Sequence, residues 1–145
     1  MEREPTIRIV SGAYLPLSDP IVVRALITSR YQIDPGYRCN DPSLAEYRLP
    51  GASQTKTDPD LICTYASLDG IIDTVCQHGK LRGAQYKTVC LTMIGYSQSD
   101  VAEILHMTKQ AVSKHLKIAI ETITDQAKAD WLSVYKDKYK GLFTR

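Results

Sequence analysis

Two helix starts lie eleven residues apart, at Ser97 and Thr108, and each is a hydroxyl residue set just before an apolar pattern of helical spacing. This constrains the chain more than any other feature, because eleven residues hold one short helix and one tight turn. The first helix turns Val101, Ala102, Ile104 and Leu105 inward, and a small residue such as Ala102 lets a second helix cross closely. His106 and Met107 form the turn, Thr108 caps the helix that begins at Lys109, and Ala111, Val112, Leu116 and Ala119 face the same core.

Lys109, Gln110, Ser113, Lys114 and Lys117 are left on the outside. Their side chains suit phosphate oxygens and base edges, and they lie at the N-terminal end of the helix, where recognition helices enter the major groove. A merely solvated helical hairpin would also carry lysines outward. The coincidence of caps, a small crossing residue, a short turn and outward polar groups favours a helix-turn-helix whose partner is double-stranded DNA.

The charge distribution points the same way. Residues 1–79 carry seven Lys or Arg against ten Asp or Glu, a balance of −3, whereas residues 80–145 carry eleven against six, a balance of +5. The basic half holds the motif, as a phosphate-binding surface requires. That charge is mostly lysine, which attracts phosphate as a point charge without the bidentate fork of arginine. No apolar run approaches the roughly 20 residues of a membrane-spanning helix. The start, Met-Glu-Arg-Glu-Pro, lacks a signal pattern, so a cytoplasmic protein with no membrane partner is expected. Cys39, Cys63, Cys76 and Cys90 form no Cys-x-x-Cys pair, and His78, His106 and His115 complete no zinc spacing. Reduced, mostly buried thiols are expected, with no metal and no cofactor.

Along the chain, residues 6–10 suggest a strand or an extended arm. Ser18-Asp19-Pro20 is a cap followed by an N1 proline, so a helix is expected over residues 20–31 with Ile21, Val22, Ala25 and Leu26 inward. Residues 34–59 are rich in turn dipeptides and read as a linker with one short helix near Ser43–Tyr47. A helix from Asp58-Pro59 to Gly79 carries Leu61, Ile62, Tyr65, Leu68, Ile71, Ile72, Val75 and Cys76, with Gly70 a possible kink. Residues 81–94 form another helix, ended by Gly95. Beyond the recognition helix, a following helix continues the pattern through Ile118, Ile120, Ile123 and Ala127 toward Trp131, Leu132, Tyr135 and Tyr139. The expected fold is mainly α: a helical bundle containing a helix-turn-helix over residues 58–145, with an irregular extension over 1–57. The stripes from Leu61 to Tyr139 are expected to close on one another without that extension.

These residues resemble a known family. Leu68-Asp69-Gly70-Ile71-Ile72, Gln85 with Val89-Cys90-Leu91, Ile94-Gly95-Tyr96-Ser97, Val101-Ala102-Glu103-Ile104-Leu105 and Ala111-Val112-Ser113-Lys114-His115-Leu116 are similar to region four of bacterial sigma factors and to sigma-like regulators of phages and mobile elements. The likeness runs from Ser67 to Ile123, about two fifths of the chain. It implies base and phosphate contacts at Lys109, Gln110, Ser113, Lys114 and Lys117, with Ser97 and Gln98 near the DNA backbone and Thr108 as the cap beside them. His106 stands where the family usually has glycine, and a left-handed backbone costs more there. Nothing in residues 1–57 resembles the promoter-melting part of that family.

The function expected from all this is a DNA-binding transcription regulator acting at a promoter or operator. One recognition helix covers few base pairs, so a homodimer is expected, with Trp131, Tyr135 and Tyr139 as contact candidates. Two alternatives share the motif. One is a sigma-like accessory factor that contacts RNA polymerase; the other is a DNA-packaging adaptor of the phage small-terminase kind. Catalysis is not expected: Asp69 with Asp73, and Ser113 with His115, lack any third group that would make a site.

Overall fold

The computed structural model describes residues 16–33, 37, 42–44, 46, 47 and 59–138, with side chains up to 130 and at 132. Its first helix, α1 (Pro20–Ile33), starts where Asp19 Oδ1 accepts a bond from the Ile21 amide at 2.9 Å. A 3-10 turn follows at Pro42–Leu44, then α2 (Pro59–Gln77), α3 (Ala84–Ile94), α4 (Gln98–Ile104) and α5 (Lys109–Lys138). The chain is mainly helical, with no strand among the described residues. The expected strand or arm at 6–10 lies outside them.

Three helices end in the same hydrogen-bonded device, in which the residue after the cap turns left-handed and two amides reach back to the last carbonyls. After α2, Gly79 (φ 70) donates to Cys76 O at 3.1 Å and Lys80 to Val75 O at 2.9 Å. After α3, Gly95 (φ 121) donates to Thr92 O and Tyr96 to Leu91 O, both at 3.1 Å. After α4 the position is His106, at φ 54, donating to Glu103 O at 3.3 Å while Met107 donates to Ala102 O at 2.9 Å. Glycine adopts that backbone freely and histidine does not, so the α4 turn carries strain that the other two lack.

The helices enclose two apolar clusters. The larger joins α1, α2, one face of α3 and the middle of α5 through residues such as Leu26, Leu68, Val89 and Ile123. The smaller joins the neighbouring face of α3 to α4 and the first turn of α5 through Leu91, Val101 and Val112. Leu44 of the 3-10 turn is buried in this second cluster.

Several expectations change. In α1 the expected Ala25 and Leu26 are buried, together with Val23, Ile27 and Arg30, while Ile21 is 59% exposed. Val23, Leu26 and Ile27 share the larger cluster with α2, α3 and α5, so the core of the bundle includes a helix from before residue 58. α2 runs unbroken through Gly70, and Ile62 on it is exposed. α3 begins only at Ala84, because Gly83 has a non-helical backbone (φ 54, ψ −124); Leu81 is buried from the preceding loop. The helix expected from Lys109 and the helix expected after it are one, α5. No glycine, proline or capping break interrupts residues 109–138, so the helix runs on for about 45 Å at 1.5 Å per residue. Cys90 is buried, but Cys63 is exposed.

One polar contact fixes α1 on α2. Arg30, 5% exposed, forks onto the Asp69 carboxylate, with Nη2 to Oδ2 at 2.9 Å and Nη1 bonding Oδ1. Its guanidinium lies 4.1 Å from the Tyr37 ring centroid and 4.8 Å from that of Tyr65. Tyr65 also donates its hydroxyl to Leu26 O at 2.7 Å. Both links join residues 39 apart, so the two helices run in the same sense.

Candidate nucleic-acid interface

Ser97 and Thr108 act as helix caps, as their positions predict. Ser97 Oγ accepts from the Asp100 amide at 3.2 Å and Thr108 Oγ1 from the Ala111 amide at 3.1 Å. Each hydroxyl keeps its proton available for an outside acceptor. Between the caps lie seven helical residues, of which Val101 and Ala102 are buried, and a turn from Leu105 to Thr108. Ile104 and Leu105, expected inward, are half-buried against the smaller cluster.

On α5 the inward residues are Val112, Leu116 and Ala119, all essentially buried, while Ala111 is half-buried. Lys109, Gln110, Ser113, Lys114 and Lys117 are all exposed. At about 100° per residue these five positions span roughly 140° of the helix surface and about 12 Å of its length. The exposed Ser97 and Thr108 and the half-buried Gln98 stand at the starts of the two helices. All eight residues singled out in the sequence thus fall on α4, on the turn or on the first nine residues of α5.

Three exposed lysines open the outer face of α5. Past Lys117 that face carries Glu121 and Asp125, both exposed, ahead of the exposed Lys128, and the outer side of α4 carries Asp100 and Glu103. His115 is half-buried at the edge of this face, its Nδ1 shielded from solvent and without a hydrogen-bond partner. Of the aromatic residues expected to join two copies, Trp131 and Tyr135 lie on α5 with undescribed side chains, and Tyr139 lies outside the described residues. Leu132 beside them is 48% exposed.

Sequence reasoning passed over two features that support this surface. Arg30 lies on the buried stripe of α1, seven residues after Val23, and Asp69 lies between Tyr65 and Ile72 on α2. Opposite charges on two apolar stripes were the signal available for that pair. Leu44 gave no periodic signal at all. No helix among the described residues is long and apolar enough to cross a membrane. Compared with protein-family models, with characterised proteins and with solved structures, the chain matches none.

Proposed function

We propose that this chain is a sequence-specific, double-stranded-DNA-binding transcription regulator of the cytoplasm, acting at a promoter or operator through a helix-turn-helix made of α4 and α5. The observation that carries this reading is the clustering of three exposed lysines with Gln110 and Ser113 on the first nine residues of α5, next to two capping hydroxyls. The major groove is about 12 Å wide, close to the length of helix these residues occupy. Gln110, Ser113 and Lys114 suit base edges, because glutamine pairs with adenine and lysine with guanine in that groove. Lys109, Lys117 and the Ser97 and Thr108 hydroxyls suit phosphate oxygens, which set register. The carboxylates of Glu121 and Asp125 repel phosphate and separate the footprint at the helix start from Lys128. So short a footprint favours a homodimer on two half-sites.

The test is selection from a random-sequence duplex pool, followed by binding of the winning duplex to the wild-type, Lys109→Ala and Lys114→Ala proteins. Both exposed positions can lose their side chains without unfolding the bundle. Loss of a base contact costs about 1–3 kcal/mol and relaxes specificity, whereas loss of a phosphate contact weakens all sequences alike. Unchanged affinity in both variants refutes this assignment of the face.

A further inference from the structure

Helix α4 has seven residues, far fewer than the roughly 12–15 at which an isolated helix becomes even marginal in water. Its place depends on packing. Only Val101 and Ala102 of α4 are buried, and both belong to the smaller cluster. Among the buried residues of that cluster, six come from α3, α4 and the start of α5; the seventh is Leu44, from the connector between α1 and α2. Leu44 is 3% exposed, so it closes the cluster and does not merely rest on it.

A second contact from the connector falls at the start of α4. Tyr47 meets Tyr96 edge to face, with ring centroids 6.2 Å apart, and Tyr96 directly precedes the cap residue Ser97. Tyr47 also donates its backbone amide to Leu44 O at 3.0 Å, so the two side chains belong to one local turn. The other end of the connector is tied down as well. Tyr37 packs against both clusters and stacks on Arg30, which is held by Asp69. The α1–α2 ion pair, through Tyr37, and the Leu44–Tyr47 turn thus meet at the smaller cluster, which holds α4.

We infer that this turn is a brace for α4 and the start of α5, and that Leu44 and Tyr47 are positioning residues for the exposed face at Lys109–Lys117. Only the last part of this inference rests on the DNA-binding reading. With the brace removed, α4 loses one wall of its pocket, and the amides that define the α4 turn open without the whole bundle unfolding.

Hydrogen exchange of the full chain under native conditions tests the brace directly. In Leu44→Ala, the amides of Val101, Leu105, Met107 and Val112, all bonded to backbone carbonyls here, should exchange at least tenfold faster, while interior amides of α1 and α2 change less than twofold. Tyr47→Ala, a milder cut at a half-buried residue, should give the same regional pattern at smaller amplitude, and Leu44→Met should restore wild-type rates. Uniform acceleration across all helices, or no regional change in either alanine variant, overturns the inference. On a mixed-sequence duplex at low salt, Leu44→Ala should bind about tenfold more weakly than wild type and Leu44→Met within twofold of it. A wild-type protein that ignores the duplex refutes the DNA reading alone, because the exchange pattern still decides the brace.

Discussion

Replacing Asp69 with alanine should cost more stability than replacing Arg30 with methionine, although the two residues share one ion pair. The reason is the difference in burial: Arg30 is 5% exposed, whereas the Asp69 side chain is 41% exposed. Asp69→Ala leaves a guanidinium inside the bundle with its carboxylate gone. Stripping one partner from a fully buried pair costs about 3–5 kcal/mol, and less here because Arg30 keeps other contacts. The faces of Tyr37 and Tyr65 remain on the cation, each worth roughly 0.5–2 kcal/mol, and the half-open Asp69 side admits some water. A net loss of about 2–3 kcal/mol follows from these opposing effects. Arg30→Met keeps a long apolar side chain between the two rings and beside Met93, and it leaves Asp69 free to hydrate. That exchange should cost about 0–1.5 kcal/mol. The double variant should resemble Arg30→Met, because the buried cation is gone in both. Urea unfolding of the three variants, extrapolated linearly to water, supplies the comparison. An Arg30→Met loss equal to or larger than that of Asp69→Ala refutes the reasoning.

The turn and the N-terminal helix give two more expectations. His106→Gly should stabilise the protein by about 0.5–1 kcal/mol, since relief of the left-handed backbone outweighs the extra freedom of glycine in the unfolded chain; thermal unfolding measures this, and a lower Tm contradicts it. A chain lacking residues 1–33 should lose its cooperative unfolding transition by circular dichroism, because Val23, Leu26 and Ile27 are fully buried and together contribute roughly 5–9 kcal/mol of gross hydrophobic stabilisation, as much as many domains possess.

Local signals were legible in the sequence and long-range ones were not. Ser97, Thr108, Asp19, Gly79 and Gly95 act through neighbours a few positions away, so their caps and stops follow from residue type and spacing. The core face of α1 was read about one residue out of phase. Six of the seven residues from Ile21 to Ile27 are apolar, and such a run leaves the rotation of the helix open until Arg30 and its partner choose it. The continuity of α5 follows from the lack of any glycine, proline or cap between Lys109 and Lys138. Arg30 acts across 39 positions, to Asp69, and Leu44 packs in a cluster whose other buried residues lie between Cys90 and Val112, where no periodicity reaches. At the candidate site, the outward faces of α5 were legible because its inward stripe is strict.

The claim that double-stranded DNA is the partner is tested most directly by the salt dependence of binding. If Lys109, Lys114 and Lys117 each neutralise one phosphate, log affinity for duplex DNA should fall against log salt with a slope of about −2.7 per chain, and about twice that for a dimer on two half-sites. Replacing all three lysines with alanine should remove most of that slope while the folded circular-dichroism spectrum is retained. A slope near zero for the wild-type protein, or one that the triple variant leaves unchanged, would contradict a DNA-binding face at the start of α5.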